Sequence, residues 1–129
     1  MVDKLEIFRQ FLLEPSALTS ALGGDYVTVN RLPPGFDNTH PAILVMQETG
    51  GAHVAGGEVS DVVICRCYGG SDLDSDARVV FRALYDRCLL PGPDSPIKQV
   101  FYQSDFFGGD DPVTGWPSYV GRFTVYMEN

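Results

Sequence analysis

The sequence contains no apolar run approaching the roughly 20 residues that a bilayer-spanning helix requires, so no membrane span is expected and the chain reads as soluble. It is short of positive charge: nine Lys and Arg stand against 17 Asp and Glu, for a formal net charge of −8. Affinity for phosphate comes mainly from clustered Lys and Arg, and no basic run exists here, which excludes a wrap for nucleic acid or an anionic membrane. Cysteine is scarce and odd in number. Cys65 and Cys67 are neighbours on one face of an expected strand, a poor geometry for a bridge, and with Cys88 they are expected as reduced, buried core thiols of a cytosolic protein. The N-terminus, Met1-Val2-Asp3-Lys4-Leu5-Glu6, carries acidic residues and no uninterrupted apolar segment, so a secretory signal is not expected.

What is present is a globular composition, 44% hydrophobic and 20% charged over 129 residues, the size of one domain spanning residues 1–129. The organising stretch is Val59–Leu90. In Val59–Tyr68 both alternating faces carry apolar residues, Val63 and Cys65 on one and Val62 and Ile64 on the other, which predicts a central strand covered on both sides. After Gly69-Gly70, the spacing of Ala77, Val80, Phe81, Leu84, Tyr85 and Cys88 predicts one long helix over about 72–90. Arg78, Arg82, Asp86 and Arg87 fall on its solvent side, Ser71 and Asp74 resemble a capping box, and Pro91-Gly92-Pro93 ends it.

Around this unit the chain predicts a first helix over Leu5–Leu12 with Asp3 as cap and Pro15 as stop, and a second brief one over Ser16–Leu22 closed by Gly23-Gly24. Together these form a lid on one sheet face. Strands are expected at Tyr26–Arg31, Ala42–Thr49, Ile97–Phe106 and Tyr119–Met127, the last alternating Phe123, Val125, Met127 with Arg122, Thr124, Tyr126. The glycine-rich stretch Gly50–Glu58 is expected as a mobile loop joining two antiparallel strands. The fold class is α+β: a mainly antiparallel sheet with the long helix and an N-terminal helix packed on it.

Chemical motifs are thin. None of the glycine pairs leads into a P-loop or a dinucleotide fingerprint. Cys65-Arg66-Cys67 lacks the spacing of a zinc knuckle, and Asp105, Asp110 and Asp111 lack the alternation and closing glutamate of a calcium loop. No catalytic, metal-binding or cofactor-binding residue is assigned and no cofactor is expected. His40 and His53 sit in expected loops, each a candidate for an acid–base pair with a loop aspartate if the chain is an enzyme. Trp116, the only tryptophan, either packs under a hairpin or projects as an interface anchor.

The order of these pieces resembles the tail terminator, or tail-completion (minor tail), proteins of long-tailed bacteriophages. The resemblance rests on an N-terminal helix leading to Leu22-Gly23-Gly24, a strand ending in Arg31-Leu32-Pro33-Pro34-Gly35, and the strand Pro41-Ala42-Ile43-Leu44-Val45. The Val59–Tyr68 strand feeding the long helix, and the turn Asp111-Pro112-Val113-Thr114-Gly115 before the last strand, complete it. It implies a non-enzymatic virion protein, assembled in the host cytoplasm, that forms a homo-oligomeric ring, commonly a hexamer, on the head-proximal end of the tail tube. Such a ring stops polymerisation of the major tail tube protein and offers a joining surface to a head-completion or connector protein. DNA would pass through without specific binding, as an acidic subunit allows. Phe36, His53, Val54, Phe106, Phe107 and Trp116 are the expected interface residues. The alternatives are a neck connector one layer higher, a protein-binding module using Phe36, Phe106, Phe107 or Trp116 as anchors, and a small cytosolic enzyme using His40 or His53.

Overall fold

The computed structural model describes residues 4–54, 58–89, 91–92, 95–102 and 107–128. In chain order the elements are α1 (Lys4–Leu13), α2 (Ala17–Leu22), β1 (Val27–Val29), β2 (Pro41–Val54), β3 (Glu58–Gly69), α3 (Asp74–Leu89), β4 (Ile97–Tyr102), β5 (Phe107–Asp110) and β6 (Pro117–Glu128). The sheet runs β1-β2-β3-β6-β4, with β5 beside β6. All pairings are antiparallel except β1 with β2, which is parallel. This is the α+β architecture expected, with α3 as its one long helix.

α1, α2 and α3 share one hydrophobic cluster with Val63, Cys65 and Cys67 of β3, Phe123, Val125 and Met127 of β6, and Ile43 and Val45 of β2. The amphipathic stripes explain why: Leu5, Phe8, Phe11 and Leu12 of α1, and Ala77, Val80, Phe81, Leu84 and Cys88 of α3, are all buried at three-and-four spacing. α2 starts from Ser16, whose hydroxyl accepts from the Leu18 N–H, while Thr19 closes the reciprocal half of a capping box, and Gly23 ends the helix at φ +76°. A Cβ at Gly121 would stand 2.6 Å from the Phe81 ring, so the missing side chain at Gly121 is what lets Phe81 of α3 lie against β6.

Several expectations are corrected. Val62 and Ile64 are half-buried, so β3 is covered on one face and partly open on the other. Of the stretch expected as a loop, 50–54 and Glu58 belong to β2 and β3, with His53 opposite Val59 and Val54 opposite Glu58. The ladder continues past a register shift between Gln47 and Gly51, and β3 is itself paired to β6 out to Glu58↔Glu128, so strand pairing on both sides of β3 overrides weak glycine propensity. Residues 55–57 lie outside the described residues.

β1 is shorter than expected because Asn30, at φ 69°, turns out of the strand while its N–H donates to the Val45 carbonyl at 2.8 Å. Of the strand expected over Ile97–Phe106, β4 takes Ile97–Tyr102, residues 103–106 lie outside the described residues, and a further strand, β5, pairs with the same edge of β6. Ser71 and Asp74 form no capping box: the Ser71 hydroxyl accepts from the Leu73 N–H and donates to Asp76 at 2.6 Å, while Asp74 accepts from the Tyr119 hydroxyl at 2.9 Å. Arg87 is not on a solvent face either. Its guanidinium lies 3.8 Å above the Phe11 ring, donates to the Phe11 carbonyl at 3.1 Å and meets Glu14 at 2.9 Å, tying the end of α1 to α3. Asp3, the expected cap of α1, lies outside the described residues.

Candidate functional site

The face of the sheet opposite the helices is where the conspicuous surface chemistry gathers. Side chains there come from the alternate positions of each strand: Leu44 and Met46 of β2, Val62, Ile64, Arg66 and Tyr68 of β3, Val120, Arg122, Thr124 and Tyr126 of β6, and Phe101 of β4. One end is roofed. Ala42, Leu44 and Tyr68 are buried under a second cluster that includes Tyr26, Leu32, Phe36 and Trp116. Past Met46, which packs against that cluster, the other end is less covered: Val62, Ile64 and Tyr126 are half-buried, and Phe101, edge-on to Tyr126 at 5.6 Å between ring centroids, is 50% exposed.

The roof is aromatic. His40 stacks on Tyr26 at 3.7 Å between centroids, and Phe36 meets His40 at 5.0 Å, Trp116 at 5.4 Å and Tyr68 at 5.8 Å, each edge to face. The loop that carries Phe36 and His40 is held by Asn38, whose side chain accepts from the Gly70 N–H at 3.1 Å and donates to the Ser71 carbonyl at 2.9 Å. Gly70, at φ +78°, passes so close to His40 and Pro41 that an added Cβ would overlap their backbone. Gly70, the first residue after β3, therefore seats the aromatic loop.

The second half of the roof is the turn 111–116. Asp111 Oδ1 accepts from the N–H groups of Val113 at 2.8 Å and Thr114 at 3.4 Å, and the Gly115 N–H donates to the Asp111 carbonyl at 2.7 Å. The other carboxylate oxygen accepts the Tyr68 hydroxyl at 2.5 Å, with Tyr68 1% exposed and Asp111 7% exposed. Desolvation pulls the Asp111 carboxyl upward, but the Tyr68 hydroxyl, the two N–H groups and the nearby Arg66 charge outweigh it and hold the group below its ordinary value. Burial, then donation to Asp111, pushes the Tyr68 phenol well above its usual range. Arg66 donates to the Ser118 hydroxyl at 2.7 Å, so the turn, β3 and β6 form one hydrogen-bonded unit.

Phe36 and Trp116, two expected interface residues, are thus brought together, both half-buried in the roof. Trp116 packs on the sheet. His53 and Val54 have strand backbone distant in register from that pair, Phe107 lies in β5 opposite Val120, and the side chains of all three, like the whole of Phe106, lie outside the described residues. His40 donates through Nδ1 to the Pro41 carbonyl at 3.1 Å, while the nearby Asp37 carboxylate accepts the Thr39 hydroxyl at 2.7 Å. The Tyr68–Asp111 bond and the Phe101–Tyr126 pair had no local signal; only strand register, which places residues far apart in sequence side by side, reveals them. The cysteines lie on the other face, buried, and burial pushes the thiol of Cys88 up to about 12 and those of Cys65 and Cys67 further.

Among the described residues no group of three or more His, Cys, Asp or Glu is placed to hold a metal ion, and no helix is long and apolar enough to cross a membrane. No protein-family model matches the chain, and no curated protein is significantly similar to it.

Proposed function

We propose that this chain is a structural subunit that assembles as a ring on the end of a phage tail tube, halts addition of tube subunits and offers its other surface to a head-side connector. One observation carries the reading: the helices among the described residues lie on one face of the sheet, while the opposite face keeps a half-buried row of Met46, Val62, Ile64 and Tyr126 with the exposed Phe101 beside the aromatic roof. A helix-backed sheet of this kind gives a stiff plate with one face free for protein contact, the shape required for stacking on a tubular template. Arg66 and Arg122 on that face supply cations among apolar side chains, the mixture that favours protein partners. The order of chain features shared with tail terminators supplies the specific assignment.

The test is co-assembly with purified tail tubes and, separately, with portal-side rings. Sedimentation with the tubes is expected. Binding to the portal-side ring alone would move the chain to the neck connector role instead. A second reading, a module that adds a partner strand to its sheet edge, draws on β4, an end strand of the sheet among the described residues, with its exposed Phe101. It predicts binding of extended peptides without tube capping.

A further inference from the structure

Two surface features on opposite sides of the sheet complement each other. Between α3 and β4, on the helix side, lies a cleft of about 600 Å³ lined by Arg78, Val79, Phe81, Arg82, Tyr85 and Tyr102. Its walls are aromatic: Tyr85 and Tyr102 meet edge to face at 5.4 Å, and Phe81 meets Tyr102 at 6.2 Å. Its rim is basic. Arg82 sits 5.7 Å above the Tyr85 ring and is ion-paired with Asp86 at 3.4 Å, so the rim carries the two guanidinium groups of Arg78 and Arg82 against that one carboxylate, on a chain of net charge −8. Val79 on the same rim is 61% exposed.

The other feature is the turn anchored on the open face. Its tip residue, Val113, is 90% exposed, and Asp110, just before the turn, is exposed as well. An apolar side chain held in water on a loose loop would mean little. Here the backbone is fixed from both ends, by the Asp111 carboxylate to Val113 and Thr114 and by the Tyr68 hydroxyl to Asp111, so little entropy is left to lose on docking.

We infer that the Asp110–Val113 knob of one copy inserts into the Arg78–Arg82–Tyr102 cleft of a second copy. Val113 fills the aromatic-walled cavity and the Asp110 carboxylate meets the guanidinium rim, a match of apolar to apolar and of acid to base within one chain. Because the knob belongs to the open face and the cleft to the helix side, a copy can give and receive at once. Such a contact is heterologous, and repeated with a closing rotation it makes a ring. The inference deepens the ring reading above by naming the subunit contact.

The experiment uses thiol cross-linking, for which the protein is suited because its own Cys65, Cys67 and Cys88 are buried. Val113→Cys and Val79→Cys variants are mixed and treated with a short bis-maleimide, and each variant is also treated alone. A covalent dimer in the mixture, absent from either variant alone, is the expected result. No dimer in the mixture at the highest soluble concentration, or an equally strong dimer from Val113→Cys alone, overturns the contact. In parallel, Arg82→Glu and Val113→Asp are each expected to weaken self-association about tenfold, as judged by sedimentation. Both side chains are largely exposed, so the fold is retained, which circular dichroism checks. Unchanged association in both variants overturns the proposal. Variants that self-associate normally and cap tubes sink the contact while sparing the ring reading; a cross-linked chain that leaves tubes uncapped does the reverse.

Discussion

On the helix side of the sheet, Val63, Cys65, Cys67, Phe123, Val125 and Met127 are exposed by 1% or less; one residue further along the same strands, Val62, Ile64, Arg66, Arg122, Thr124 and Tyr126 keep contact with water. Two sets of side chains that alternate along the same strands therefore have different work. The first set is dry, close-packed against α1, α2 and α3, and sets the stability of the fold. The second is only roofed at one end and has surface to spare for a partner. The difference teaches where to look for function in a chain without evident catalytic motifs: on the face that the protein's own helices leave uncovered.

The comparison breaks first if truncation on the dry face is cheap. Phe81→Ala, which removes the ring that α3 lays against β6, is expected to cost about 3–5 kcal/mol of stability, read as a lowered denaturant midpoint. An unchanged midpoint would mean α3 is not seated as described. The next largest effect comes from a buried polar link under the roof, Tyr68 to Asp111. Tyr68→Phe removes the hydroxyl that Asp111 accepts and is expected to cost about 1.5–3 kcal/mol, the range for a hydrogen bond to a charged group. Faster amide exchange at Val113 and Thr114 would show that the turn loosens with it.

A pH titration sharpens the same point with a smaller effect. Asp111 has a folded-state pKa below its unfolded value, near 3.8, so its contribution is fully present above that value and is lost as pH falls through the lower folded one. The acid-induced loss of stability is therefore expected to be shallower in Asp111→Asn than in the native chain, as read from thermal midpoints across that window. Identical slopes would count against the Tyr68–Asp111 link. Smallest of all is Ile64→Ala on the open face: because Ile64 is only half-buried, it is expected to cost about 1 kcal/mol or less, yet to weaken assembly. A loss as large as that of Phe81→Ala would mean the open face is core.

Much of the frame was legible from the residues. The stripe from Ala77 to Cys88, the brief second helix closed by Gly23, and the alternation of Phe123, Val125 and Met127 all depend on near neighbours, and each lies where local sequence places it, with Ser16 capping that helix from outside its first turn. What was not legible depends on pairing between distant segments. Gly50 and Gly51 look like loop, but β3 and its neighbour β6 supply the ladder that their own propensity does not. Arg87 looks like a solvent-facing charge until α1 brings its terminal carbonyl and Phe11 alongside. Of the six expected interface residues, Phe36 and Trp116 were recognisable as aromatic anchors, yet their partners, His40, Tyr68 and each other, follow only from the fold.

The most direct test of the account is growth of tail tubes from purified tube subunits with and without this protein, followed by electron microscopy of tube lengths and tips. A narrow, shortened length distribution with a ring at one tip is the predicted result. Tubes that elongate to the same lengths with bare tips at saturating protein would contradict it.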